Sequence, residues 1–158
     1  MGAGVAVLAA AQRDVAAVAA LFPAPTAPKA ERYAPKVTVP GLIVTGSDVD
    51  SMNSNAKELA SSWGGDHVLR SVHGASASGL TEGRRLLGAL GVGGSERKTQ
   101  NVTRALVTGF LLFHLTGDKK YEAFGMGEAE IPHTTLVDPN EDHVRATPPR
   151  SALAALIG

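Results

Sequence analysis

The chain has 158 residues, 44% of them hydrophobic, which is enough for one domain with a buried core and too apolar for wholesale disorder. Fifteen Lys and Arg balance fifteen Asp and Glu, so there is no basic field to gather nucleic acid or anionic lipid. The lack of cysteine excludes disulfides, a thiol nucleophile and a thiolate zinc site.

Residues 1–22 are rich in Ala and Val, but no basic residue opens them, and Gln12, Arg13 and Asp14 interrupt the apolar run. That argues against a signal peptide and leaves the compartment open, with the cytoplasm slightly favoured. Small residues over 2–11 predict a closely packed helix, and 14–21 a short buried strand. Pro23, Pro25, Pro28 and Pro35 mark 23–36 as a surface loop. The apolar run 39–45, ended by Gly46 and Ser47, predicts a strand buried on both faces. Ala56, Leu59, Ala60 and Trp63 fall at helical spacing over 53–63, with Gly64 and Gly65 as the stop. A strand over 68–72 and helices over 80–90 and 99–115 follow. In the last, Val102, Leu106, Gly109, Phe110 and Phe113 form one stripe that packs on a sheet.

The apolar run 105–115 is too short to span a bilayer, so no membrane span is expected. From residue 125 onward, Pro132, Pro139, Pro148 and Pro149 interrupt any period. This predicts a domain over 1–124 and a Pro-rich, loosely packed tail over 125–158, with one short helix at 151–157. Strands separated by helices imply parallel pairing: an α/β fold in three layers, with a short parallel sheet of about three strands flanked by helices.

Catalytic groups of parallel sheets sit at the C-terminal ends of strands. Two such ends carry chemistry: Thr45-Gly46-Ser47-Asp48-Val49-Asp50-Ser51, and Val72-His73-Gly74-Ala75-Ser76-Ala77-Ser78-Gly79. A G-x-D-x-D turn, a helix, a strand and a G-A-S loop, in that order, resemble the last third of α/β-hydrolases, in particular the dienelactone-hydrolase and cutinase-like polyester-hydrolase branch. Met1-Gly2-Ala3-Gly4 with its Ala-rich continuation is similar to the residues after the serine of that family's nucleophile elbow. The resemblance covers residues 1–124.

It implies a partial α/β-hydrolase fold of serine ester hydrolase lineage, acting on carboxylic esters. Asp50 falls on the triad acid, and the backbone N–H of Met1 on the oxyanion hole. Two departures matter: the chain has no G-x-S-x-G, and Ala77 stands where the family has its histidine. His73, four positions earlier, is the candidate base. The expectation is a truncated chain, inactive alone, meeting a small-molecule ester only when an upstream segment supplies the serine. Neither cofactor nor metal is implied. In the family the strand matching 15–21 lies inside the sheet beside the strand that leads into the elbow. Without that neighbour its open edge predicts self-association.

The plainer readings run beside these. Asp50 also suits a helix-capping turn carboxylate, and Asp48 a turn residue. Ser76 lacks the glycine two positions later that an elbow prefers. His67 with Asp66 reads as surface, and His114 as a packed or rim histidine. His133, Asp138, Glu141, Asp142 and His143 match no defined metal site and read as a solvated tail. A non-catalytic hydrolase-like binding module and a small exported protein with an N-terminal targeting segment are the alternatives.

Overall fold

Short apolar strands alternating with small-residue helices return the chain repeatedly in one direction, and three strands lie parallel as a result. The computed structural model describes residues 2–47, 54–75, 94–128 and 130–141, with backbone alone for 94–96. Helix α1 (Gly2–Ala10) leads to strand β1 (Val18–Leu21), and two 3-10 turns (Ala30–Arg32 and Ala34–Lys36) precede β2 (Gly41–Thr45). Helix α2 (Ala56–Ser61), strand β3 (His67–Val72) and the long helix α3 (Gly94–Thr116) follow. A 3-10 turn (Lys119–Tyr121), a single turn α4 (Glu122–Gly125) and strand β4 (Thr134–Leu136) complete the described elements. The sheet order is β1-β2-β3-β4. The first three strands are parallel neighbours, and β4 is antiparallel to β3, so the sheet is mixed but mostly parallel.

All five residues of β2 are buried, the mark of a central strand covered on both faces. Strand alternation sends Ile43 to one face, where Val18, Ala20 and Leu69 meet Val7 of α1 and Leu59 of α2. Leu42 and Val44 go to the other, with Val68 and Val72, against Leu106 and Phe110 of α3. Helices therefore flank the sheet on both sides. Each fully buried aliphatic side chain contributes about 1.5–3 kcal/mol, so these two clusters dominate the stability. Trp63 closes the first: its indole Nε1 donates to the Val39 carbonyl at 3.1 Å, and its ring fills the space beside Gly41, where a Cβ would lie 2.5 Å from the ring.

The structure corrects two expectations. Residues 134–136, assigned to a loose tail, form a fourth strand, so the sheet exceeds the three parallel strands read from the pattern. Three residues are too few to show a period, and two of them are exposed. What holds them is remote in sequence. Buried Arg70 of β3 donates from Nη1 to Thr134 Oγ1 at 3.0 Å and from Nη2 to the Gly127 carbonyl at 2.9 Å. Thr134 Oγ1 in turn donates to the Ile131 carbonyl at 2.8 Å. Helix α3 also begins five residues earlier than the apolar stripe indicates, because its first turn, Gly94-Ser95-Glu96-Arg97, carries none of the stripe. The predicted helices over 80–90 and 151–157 lie outside the described residues.

Candidate functional site at the strand ends

The C-terminal ends of β2 and β3 are stitched together by two serines. Ser71 is buried in β3, and its hydroxyl donates to the Gly46 carbonyl at 2.8 Å. The Ser47 hydroxyl accepts from the Gly74 N–H at 3.0 Å. Gly74 has φ 70°, a left-handed conformation that glycine adopts without strain, and it turns the chain directly after His73. The His73 backbone N–H donates to the His133 carbonyl at 2.9 Å, which extends the β3/β4 pairing to the strand end.

This geometry leaves the imidazole of His73 exposed at the rim of a depression of about 350 Å³ lined by Ser47, Ser71, Thr135, Asp138 and Glu141. Its Nε2 lies 2.7 Å from Thr135 Oγ1. Thr135 is placed there by the β3/β4 register, Ser71 opposite Thr135, which Arg70 holds through Thr134. Burial pushes the Arg70 guanidinium below its ordinary pKa, the cost of taking this cation out of water. Asp138 is partly engaged: its Oδ1 accepts from the Asn140 N–H at 2.8 Å. An exposed imidazole beside hydroxyls and two carboxylates has the parts for proton transfer, and the bond to Thr135 orients the ring.

The structure places His73 at the strand end, as the sequence indicates. Asp50, Met1, Asp48, Ser76 and Ala77 lie outside the described residues. His67 is half-buried, with Nδ1 3.4 Å from the Gly65 carbonyl, and His114 packs among aromatic rings of α3. Neither belongs to this depression. Among the described residues no group of three or more His, Asp or Glu side chains is placed to hold a metal ion. Ser47 was visible within the quoted turn. Ser71 and Thr135 carried no sequence signal, since a buried serine in a strand and a threonine in a three-residue edge strand are both ordinary.

No helix among the described residues is long and apolar enough to cross a membrane. No family model matches the chain, and neither does a curated protein or a solved structure.

Proposed function

We propose that this chain is of α/β-hydrolase, serine ester hydrolase lineage, and that by itself it does not hydrolyse esters. The observation that carries the reading is His73, exposed at the C-terminal end of β3 beside the end of β2, the two positions from which this family draws its base and its acid. Three further points support it. Strands β1, β2 and β3 are parallel neighbours in chain order, helices flank both faces, and among the described residues no strand pairs with the outer side of β1. In this reading Asp50 orients His73 and the backbone N–H of Met1 belongs to the oxyanion hole. The nucleophile is missing, since the chain has no G-x-S-x-G. A small carboxylic ester is the substrate class once a serine is supplied.

A second reading, a hydrolase-like binding module, has one observation in its favour: the His73 Nε2 that would take the serine's proton is occupied by Thr135. Treating the purified chain with a fluorophosphonate probe and a short nitrophenyl ester tests the absence of a nucleophile. We expect no labelled residue. Stoichiometric labelling of a serine or of Thr135 would show that the chain carries its own nucleophile.

A further inference from the structure

Strand β4 lies over the candidate base with little of its own to hold it. None of its three residues is buried, and Leu136 is 56% exposed. Its apolar support comes from its flanks, Ile131 and Val137, which pack against the two core clusters. The ties to β3 are few. At the start of β4 the His133 carbonyl accepts from the His73 N–H at 2.9 Å, and at its end the Val137 N–H donates to the Leu69 carbonyl at 2.9 Å. Between them Arg70 holds Thr134, as described above. His133 itself has φ 63°, in the left-handed region that residues other than glycine rarely adopt, although histidine tolerates it better than most. A segment with so few buried apolar contacts belongs to the low end of local stability and opens without the domain unfolding.

We propose that β4 is an autoinhibitory strap: closed, it keeps His73 Nε2 on Thr135, and local opening of residues 133–137 frees that nitrogen. The inference rests on the reading of His73 as a base and adds its regulation. A base must come within hydrogen-bond reach of the proton it takes, and Nε2 is already engaged by Thr135 Oγ1 at 2.7 Å. The pairing of Ser71 with Thr135 sets that contact, so it is lost when the strand leaves. Because β4 is the last strand of the sheet and pairs with β3 alone, its departure breaks no bond among the three parallel strands. Thr135, Leu136, Val137 and Asp138 also line the depression, so the same opening widens the way to Ser47 and Ser71.

The test uses the full chain in two measurements. In hydrogen exchange read by NMR, the His73 and Val137 amides are expected to exchange together, ahead of the amides that pair β2 with β3, at a rate that low urea leaves unchanged. In acylation by diethyl pyrocarbonate, read residue by residue by mass spectrometry, His73 reports whether a ring nitrogen is free, with His67 as the internal reference. His133→Val puts a β-branched residue in the left-handed region, and is expected to speed both the exchange of these two amides and the acylation of His73 about tenfold. Thr135→Val leaves the strap in place but removes the hydroxyl, and is expected to speed His73 acylation by about twofold with little change in exchange. It keeps the test open should His133→Val fail to fold. Exchange of the two amides only together with the β2/β3 pairing, or unchanged His73 acylation in either folded variant, would overturn the proposal. Neither measurement needs an ester or a nucleophile, so a failed strap leaves the lineage to be decided by the fluorophosphonate probe.

Discussion

His73 Nε2 and Thr135 Oγ1 lie 2.7 Å apart although 62 residues separate them in sequence. The contact exists because an antiparallel strand of three residues is laid against the end of a parallel one. It engages Nε2 of His73 with one of the depression's hydroxyls. Thr135→Val removes the bond with little change in volume. Because Thr135 is exposed, its stability cost should stay within about 0.5 kcal/mol. The ring nitrogen shifts of His73 should change while those of His67 and His114 do not, as nitrogen-15 NMR would report.

Arg70 positions that contact from beneath. Arg70→Met keeps most of the volume but leaves the Thr134 hydroxyl and the Gly127 carbonyl without their donor. The loss should be about 2–4 kcal/mol in urea unfolding, with amide protection lost first across residues 134–136. Equal protection of β4 in the variant would show that the strand is held by something else.

Gly41 faces the Trp63 ring with no room for a methyl group. Gly41→Ala should destabilise by about 1–3 kcal/mol, as overpacking does, and shift the emission of Trp63, the chain's single tryptophan. Calorimetry and fluorescence on the same sample read both effects.

The edge of β1 is the place to look for self-association. Val18 and Phe22 donate inward to Pro40 and Val44 of the neighbouring chain segment, so by alternation the Ala19 N–H points away from the sheet. Among the described residues no strand pairs on that side. Light scattering should show association that grows with concentration and is reduced by Ala19→Pro, which removes the outward donor and no ladder bond. A monodisperse monomer in the unmodified chain would mean that the edge is covered.

Strands β1 and β2 were legible as runs of buried apolar residues, β3 through Val68, Leu69 and Val72 although Arg70 and Ser71 lie among them, and His73 as the histidine directly after that strand. Strand β4 was not. Its residues, Thr-Thr-Leu, are half-buried or exposed, and a buried arginine 64 positions before Thr134 sets their place. The depression beside His73 was only partly readable for the same reason, since Thr135 and Asp138 come to it with that strand. Sequence periodicity records which face is buried. It does not record a pairing made by backbone bonds and a buried side chain between segments this far apart in sequence.

The central claim is that Asp50 orients His73 as the acid of a triad orients its base. Proton NMR of the chain tests it directly through the imidazole Nδ1–H. The account predicts a far-downfield, slowly exchanging Nδ1–H resonance for His73 that disappears in Asp50→Asn and persists in Asp138→Asn. A resonance that is absent from the unmodified chain, or that survives Asp50→Asn, would contradict it.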